Sequence, residues 1–268
     1  MTLVELLEKI GDAIRYAEGS KDLIPVIEMA DRIKARADIE DSIVENTIIE
    51  YVNDRAANIG AYSIQRKPNM EFVSFEKAVA INGNAFYACP KLTTAIFGNA
   101  GAIGANCFYS CTSLNALVIK RTDRYCALMS SGALSNTPIS NGKGYVFVPS
   151  TLVDTYKTAT NWSAYTDQIV AIEDYQLQII QQPTEDIEVV AGDIMTAEVV
   201  VMAIGAKYQW QISSDGVSWT DSTTSYGTTA NWKATANSSH NGKLLRCVIQ
   251  DMYGNEIITT PVKITVTE

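Results

Sequence analysis

The sequence predicts a multidomain, mainly β protein with a short N-terminal helical segment, a solenoid of parallel strands and a C-terminal β-sandwich. Apolar residues recur with a period of 22 residues, as at Ile59, Ile81 and Ile103. Such a period is typical of solenoids, in which each unit buries its apolar positions against its neighbours. After residue 177, alternating apolar runs separated by Gly, Asn and Pro indicate a small sandwich. The predicted domains are 1–40, 41–175 and 178–268.

The charge and hydropathy of the chain exclude several classes of protein. Of its 268 residues, 30 are acidic and 21 are basic, which gives a net charge of −9. This acidity argues against binding to nucleic acid or to an anionic membrane surface, since both require clustered Lys and Arg. No run approaches the roughly 20 apolar residues of a membrane span. Glu5, Glu8 and Asp12 interrupt the first apolar run, so we expect neither a signal peptide nor membrane insertion.

The helical segment is predicted within residues 1–36. Leu3, Ile10 and Ile14 recur at helical spacing, and Pro25 suits the first turn of a second helix. Two such short helices cannot bury a core of their own. We therefore expect their apolar faces to pack on the solenoid, on a sister subunit or on a larger assembly, and we expect a homo-oligomer.

The solenoid is predicted to begin near Asp41 with an incomplete repeat, because Tyr51 lies 22 residues before Val73. Each full repeat has a turn segment followed by a short extended run, and these runs are expected to stack as parallel strands. Asn84 and Asn106 occupy equivalent places in two repeats, where an Asn side chain can bond to nearby backbone in a turn.

The 22-residue period fails after residue 119. Residues 121–144 are rich in Ser, Gly and Asn and predict an irregular loop. Atypical terminal units are expected because they shield the last apolar layer of a solenoid. For this end we predict a strand at 145–149, a helix capped by Ser150 or Thr151 that runs through Trp162, and a strand at 168–172.

The five cysteines predict core positions in a reducing compartment. Their number is odd, and Cys89 and Cys111 occupy equivalent places in successive repeats. The alternative is a metal site formed by Cys107, Cys111 and Cys126, but the spacing lacks CxxC pairs and no His is near. We expect no metal and no cofactor.

The repeat motif resembles that of a known family. Residues Ile81–Leu92 and Ile103–Leu114 share the pattern Ile-x-x-x-Ala/Cys-Phe-Tyr-x-Cys-x-x-Leu. On this motif, residues 59–172 resemble the BspA-like leucine-rich repeats of bacterial surface antigens. The first repeat departs from the pattern, with Lys67 in place of the motif Cys.

Three runs mark the C-terminal part: Tyr208-Gln-Trp-Gln211, Ser214-Asp-Gly-Val-Ser-Trp219 and Arg246-Cys247. On these runs, residues 178–268 resemble an immunoglobulin-like module of bacterial and phage surface proteins. Val201 or a neighbour stands where a disulfide-bonded domain of this kind has its first Cys. The resemblance therefore implies a sandwich that is held without a disulfide.

The N-terminal segment carries a third resemblance. Ile10-Gly-Asp-Ala-Ile-Arg15 followed by Glu28-Met-Ala-Asp-Arg-Ile33 is similar to short N-terminal segments of structural proteins from phages of Gram-positive bacteria. Ile24 stands where that pattern has a polar cap before the Pro. The resemblance implies that residues 1–36 dock the protein to other virion proteins.

The residues that carry chemistry in enzymes show no catalytic arrangement. The single His, His240, lies in a Ser-Ser-His-Asn-Gly turn, where a solvated loop position is favoured over membership of a catalytic triad. Acidic pairs such as Glu173-Asp174 lie at element ends and indicate solvated surface rather than the paired carboxylates of a glycosidase. We expect a protein without enzymatic activity or catalytic residues.

Aromatic residues form the candidate ligand surface. Trp219, Tyr226 and Trp232 fall near turns or edges of the sandwich, where a sugar could stack on them. The alternative is that Trp219 and Trp232 close the ends of the core. Tyr87 and Tyr109 lie in register on the solenoid, either as an exposed ladder or in half-buried packing.

The combined expectation is a non-enzymatic phage virion protein of the tail, baseplate, neck or capsid surface. Residues 1–36 would attach it to the particle, and the solenoid and sandwich would project outward. Weak binding to host-surface carbohydrate is an added possibility, since many copies on one particle give avidity. The alternative is a bacterial surface adhesin or protein-interaction protein.

Overall fold

The computed structural model describes residues 50–183 and 186–268. The predicted N-terminal helices and the start of the first repeat lie outside these residues. The described part of the chain is mainly β, with one α-helix of six residues and several short 3-10 helices. The prediction of a mainly β protein is confirmed.

The repeat region has ten short strands, each of two to four residues. They are β1 (Glu50–Val52), β2 (Asn58–Ile59), β3 (Phe72–Phe75), β4 (Ala80–Ile81), β5 (Thr94–Phe97), β6 (Ala102–Ile103), β7 (Ala116–Ile119), β8 (Ala127–Leu128), β9 (Tyr145–Val148) and β10 (Ile169–Ala171).

These strands form two parallel ladders. The first is a six-stranded sheet in the order β1-β3-β5-β7-β9-β10, and the second is a four-stranded sheet in the order β2-β4-β6-β8. Tyr51 pairs with Val73, and Val73 pairs with Ala95, so each step from β1 to β7 along the larger sheet advances 22 residues. The last two steps are longer, at 29 residues from Ala116 to Tyr145 and 23 from Val146 to Ile169. The predicted period and the parallel strands are both confirmed.

The core between the ladders is a stack of equivalent residues from successive repeats. Phe86 and Phe108 are fully buried, with their ring centroids 5.2 Å apart and their planes nearly parallel. Cys89 and Cys111 are buried beside them, and the Cys111 thiol donates to the carbonyl oxygen of Phe86 at 3.0 Å. The interpretation of these cysteines as core residues is confirmed.

The predicted loop at 121–144 is wrong in part, because this stretch contains a further repeat. It holds β8 and two 3-10 helices, Ser131–Leu134 and Ile139–Asn141. Ala127 pairs with Ala102, which is a step of 25 residues instead of 22. Three additional residues therefore shift the sequence period while the ladder continues.

The end of the solenoid is closed by aromatic side chains. The helix predicted to reach Trp162 is shorter: a 3-10 turn at Ser150–Leu152 leads into α1 (Val153–Thr158), and no side chain caps α1. Trp162 is fully buried, and its indole N–H donates to the carbonyl oxygen of Cys126 at 2.6 Å. Burial raises the pKa of the Cys126 thiol to about 12, so this thiol stays protonated.

The remaining strands belong to residues 177–183 and 186–268, called here the C-terminal unit. They are β11 (Gln178–Gln181), β12 (Ile187–Val190), β13 (Ile194–Glu198), β14 (Val200–Met202), β15 (Lys207–Ser213), β16 (Thr220–Asp221), β17 (Asn231–Thr235), β18 (Leu244–Gln250), β19 (Glu256–Ile258) and β20 (Val262–Thr267).

The C-terminal unit has one large sheet and two smaller ones around a shared core. The large sheet runs in the order β12-β20-β18-β15-β16, with β19 also paired to β18, while β13 pairs with β17 and β11 with β14. Trp210, Trp232 and Cys247 are fully buried in this core. Cys247 carries a free thiol, as expected for a unit without a disulfide.

Candidate interaction surface

The outward face of the six-stranded sheet is covered by the chain itself. Ile96, Val118 and Phe147 point away from the solenoid core and form a separate buried cluster with Ile204 of the C-terminal unit. Met202 packs against the same cluster. The sheet face that faces outward from the repeats is therefore an internal contact in this protein.

Hydrogen bonds fix this contact at two points. The Gly205 N–H donates to the Thr94 hydroxyl at 3.1 Å, and the Ile204 N–H donates to the Tyr175 hydroxyl oxygen at 3.1 Å. Gly205 has φ +68°, and a Cβ on it would lie 2.7 Å from Cβ of Met252. Only glycine satisfies both the backbone angle and this close approach.

An ion pair adds to the junction at its edge. The Lys143 ammonium lies 2.6 Å from the Glu198 carboxylate, and both side chains are partly exposed. Exposed pairs of this kind contribute roughly 0–1 kcal/mol. Apolar burial and the backbone donors therefore hold the junction more than this charge pair does.

A further side of the repeats is formed by the turn segments 60–69, 82–91 and 104–113, called here the turn face. Its backbone forms a third ladder: the Arg66 N–H donates to the Tyr87 carbonyl oxygen at 2.7 Å, and the Ala88 N–H to that of Tyr109 at 2.8 Å.

Two positions of each turn segment adopt a left-handed backbone conformation. Their φ values lie between 52° and 62°, and the residues are Tyr62, Arg66, Asn84, Ala88, Asn106 and Ser110. The predicted turn positions of Asn84 and Asn106 are confirmed. Since the same conformation recurs in three repeats, it follows from the repeat geometry.

Tyr87 and Tyr109 form a stacked pair on the turn face. Their ring centroids are 5.3 Å apart, with an angle of 6° between the planes. Both residues are half-buried, so one part of each ring packs on the solenoid and another part meets solvent. Tyr62, in the preceding repeat, is 57% exposed. The sequence left two alternatives for Tyr87 and Tyr109, a ladder of rings or half-buried packing, and the structure shows stacked rings that are half-buried.

The three aromatic candidates of the C-terminal unit lie in different environments. Trp232 is fully buried and its indole N–H donates to the Ser222 hydroxyl at 2.9 Å, so its proposed place on a ligand surface is wrong. Trp219 is half-buried beneath the Arg246 guanidinium, which lies 4.0 Å from the ring centroid. Tyr226 is 44% exposed. The three rings therefore do not form one stacking platform.

A polar pocket of about 450 Å³ lies beside the buried Trp232. Serine and threonine hydroxyls dominate its lining, together with Asp221, His240 and Lys243. Backbone N–H groups of Ser218 and Val217 lower the pKa of Asp215 in this lining to about 2. The pocket offers hydrogen-bonding groups without an exposed aromatic ring.

His240 has a structural role in the turn that carries it. Its Nδ1 accepts a hydrogen bond from the Asn237 N–H at 3.2 Å, and the Asn237 side chain in return accepts from the Ser239 N–H. The Asn237 side chain also accepts from the backbone of His240, so Asn237 and His240 form a capping box. His240 thus stabilises a 3-10 turn.

Within residues 50–183 and 186–268, no three His, Cys, Asp or Glu side chains are grouped so that they could hold a metal ion. The alternative site at Cys107, Cys111 and Cys126 is therefore not formed. The same residues contain no helix with the length and hydropathy needed to cross a bilayer.

Comparison with protein families agrees with the geometry of the repeats. Residues 38–152 match the BspA type leucine-rich repeat region, in six copies. This stretch is a BspA-type leucine-rich repeat region. The match includes residues 121–144, where the structure shows the lengthened repeat. A leucine-rich repeat protein of this type is suited to protein interaction or adhesion.

The other comparisons carry no argument about function. No curated protein sequence matches the chain. Extracellular domains 3–5 of Drosophila OTK are 17% identical, over 34% of this chain and 35% of that one, with a TM-score of 0.26. An engineered protein is 8% identical, over 78% of this chain and 58% of that one, with a TM-score of 0.25. The chain thus spans about a third of the length of the OTK structure and somewhat over half of the length of the engineered protein.

The sequence contained a signal for the covered sheet face that its periodicity did not reveal. All four positions of β5, β7 and β9 are buried. Continuous apolar strands such as Ala116–Ile119 are typical of sheets covered on both faces. A strand with one solvated face would alternate apolar and polar residues, so these runs predict a layer on each side.

Proposed function

We propose that this protein is a non-enzymatic interaction protein that presents the turn face of its repeats to a protein partner. The observation that carries the proposal is the covered sheet: Ile204 and its neighbours occupy the outward face of the six-stranded ladder. The turn face, with Tyr62 and the Tyr87–Tyr109 pair, remains accessible. Half-exposed tyrosines on a fixed backbone are common anchors of protein interfaces.

The proposal extends to a place in a virion. Residues 1–36, which lie outside the described residues, would attach the protein to other virion proteins and to further copies of itself. The repeats and the C-terminal unit, proposed to be an immunoglobulin-like module, would then project from the particle. The alternative location is a bacterial surface, where the same repeats would serve adhesion.

Mass spectrometry of density-banded phage particles and of the soluble lysate tests the location. A fixed stoichiometry in the particles would support a virion protein, and its copy number would separate capsid, neck and tail. Recovery from the cell fraction alone would contradict the virion proposal and favour the surface protein.

Cross-linking of the intact assembly tests the interaction role. Lys91 on the turn face and Lys207 on the C-terminal unit are both exposed lysines. We expect lysine-reactive cross-links from Lys91 to another polypeptide, with Lys207 as the internal comparison. Cross-links to another polypeptide from Lys207, with none from Lys91, would contradict a role for the turn face.

A second candidate function is weak binding of host-surface carbohydrate in the pocket beside Trp232. Its hydroxyl-rich lining favours a ligand with many hydroxyl groups. The indole N–H of Trp232 reports on this site because it donates to Ser222, which lines the pocket. Titration with cell-wall saccharides should shift its NMR signal. An unchanged signal at saturating saccharide would rule out this second function.

A further inference from the structure

The distribution of charge on the repeats is uneven. In a chain with net charge −9, the segments 58–70, 80–92 and 102–114 contain no Asp or Glu. These segments contain the whole turn face. Their charged residues are the cations Arg66, Lys67 and Lys91.

The acidic residues of the same repeats lie elsewhere. Glu71 directly precedes β3 and Glu76 directly follows it. The Glu76 carboxylate lies 2.7 Å from the Lys120 ammonium. Arg66 and Lys91 are exposed on the turn face itself. The charged side chains of this face are therefore all basic, whereas the excess of acidic residues lies in other parts of the chain.

The turn face also has the composition of a recognition surface. Tyr62, Tyr87 and Tyr109 combine a large apolar ring with a polar hydroxyl, and they lose little conformational freedom on binding. The stacked Tyr87–Tyr109 pair is already fixed by its neighbour at 5.3 Å. Lys91 is held in turn by the Asn69 side chain, to which its ammonium donates at 3.1 Å. Contacts within the protein thus support Tyr87, Tyr109 and Lys91 on this face.

We infer that the turn face binds an acidic segment of a partner polypeptide. This inference rests on the proposed interaction role and adds the chemistry of the partner. Carboxylates of the partner would lie against Arg66 and Lys91, and its apolar or aromatic side chains would lie on the exposed parts of Tyr62, Tyr87 and Tyr109. The tyrosines should make binding at this site more than a general attraction of anions. Their rings contribute apolar contact, which salt does not weaken as it weakens the attraction between charges.

Fluorescence anisotropy with the full-length protein tests the inference. The probe is a fluorescein-labelled peptide of alternating Glu and Tyr, and the comparison peptide alternates Lys and Tyr. The acidic peptide should bind, more weakly as salt rises, and the basic peptide should not. Arg66→Glu with Lys91→Glu should weaken binding of the acidic peptide by about tenfold or more, equivalent to roughly 1.4 kcal/mol.

Matched control variants separate charge at the site from charge in general. Lys207→Glu with Lys263→Glu makes the same change of net charge at exposed positions of the C-terminal unit, and should leave the affinity within about twofold. Tyr87→Ala with Tyr109→Ala should also weaken binding, at low and at high salt alike. Circular dichroism melting of each variant distinguishes lost binding from lost folding.

Four results would overturn the inference. One is equal weakening by both charge-reversal pairs, and another is unchanged affinity in the folded tyrosine variant. The third is dextran sulfate binding as tightly as the peptide and with no dependence on the tyrosines, which would assign the face to anionic polysaccharide. If the peptide fails to bind while Lys91 still cross-links to a neighbouring polypeptide, the acidic partner is wrong and the proposed function stands.

Discussion

The Tyr175 hydroxyl donates a hydrogen bond of 2.9 Å to a carboxylate oxygen of Asp251, a residue 76 positions further along the chain. The same hydroxyl oxygen accepts from the Ile204 N–H. Tyr175 follows the last strand of the repeats, whereas Asp251 and Ile204 lie in two separate loops of the C-terminal unit. A single side chain thus connects the end of the solenoid to both loops.

Replacement of Tyr175 by Phe should weaken this junction without removing its packing. The ring would keep its contact with Phe147, 5.5 Å away, but the Ile204 N–H would lose its acceptor and Asp251 a donor. We expect a loss of about 1–3 kcal/mol in the free energy of unfolding, measured by urea denaturation. Amide hydrogen exchange at Ile204 should become faster.

Tyr253→Phe is the control for this variant. Tyr253 is 61% exposed and its ring also neighbours Tyr175. Loss of its hydroxyl should change the unfolding free energy by less than about 0.5 kcal/mol, as for most surface substitutions. Equal effects of the two substitutions would contradict the assigned role of Tyr175.

The turn at Asp215 should depend on pH in acid solution. Backbone N–H groups of Ser218 and Val217 and the Ser213 hydroxyl stabilise the charged carboxylate and lower its pKa to about 2. Because the folded pKa lies below the unfolded value of about 3.9, the stabilisation is present above that value and is lost as pH falls toward 2. NMR titration should show the amide signals of Val217 and Ser218 moving near pH 2, and Asp215→Asn should abolish the transition. Movement near pH 4 would contradict the assignment.

Close contact between repeats should make one glycine indispensable. A Cβ on Gly104 would lie 2.3 Å from the backbone nitrogen of Gly83 in the preceding repeat. Gly104→Ala should therefore cost about 1–3 kcal/mol of unfolding free energy by overpacking.

Gly60 occupies the equivalent place two repeats earlier; among the described residues, a Cβ there would meet only the Ser63 side chain at 3.8 Å. Gly60→Ala should be neutral or slightly stabilising, since alanine reduces the entropy of the unfolded chain. Thermal melting of the two variants side by side gives the comparison. A larger loss at Gly60 than at Gly104 would show that contact with the preceding repeat is not what restricts these positions.

Replacement of Trp232 and of Trp219 should have different effects on the free energy of unfolding. Trp232→Ala removes a fully buried indole and should cost about 3–5 kcal/mol in the free energy of unfolding. Trp219→Ala removes a half-buried ring and the contact with Arg246, for which about 0.5–1 kcal/mol is expected. Urea denaturation measures both. Similar losses would mean that Trp219 belongs to the core.

Sequence periodicity predicted the solenoid because the repeat physics is local. Every unit must bury the same positions against the next one, so Phe86 and Phe108 recur at the spacing of the ladder. The period is broken at Ala127, where three extra residues shift the sequence interval but not the strand pairing. A parallel ladder tolerates added residues in the turns between strands, so strand pairing continues where the fixed sequence interval ends.

The junction could not be predicted in the same way, because it depends on contacts between distant parts of the chain. Thr94 and Gly205 are 111 positions apart, and neither residue type signals a partner. The sequence register predicts that Tyr87 and Tyr109 occupy equivalent positions, but it does not predict how far their rings are exposed. The buried state of Trp232 was likewise open, since a tryptophan near a strand end fits both a core and a surface. Three-dimensional packing decides each of these points.

The parallel pairing of β12 with β20 has a mechanical consequence. Ile187 lies opposite Ile264 and Val190 opposite Thr267, so the chain enters this ladder at one end and leaves it at the other. Tension applied to the C-terminal unit through the residues before Ile187 and after Thr267 would slide the two strands along each other. The ladder bonds would then be strained together rather than opened one after another, as they would be if a hairpin were peeled apart. A protein that holds a partner under shear would resist unfolding at this pair of strands.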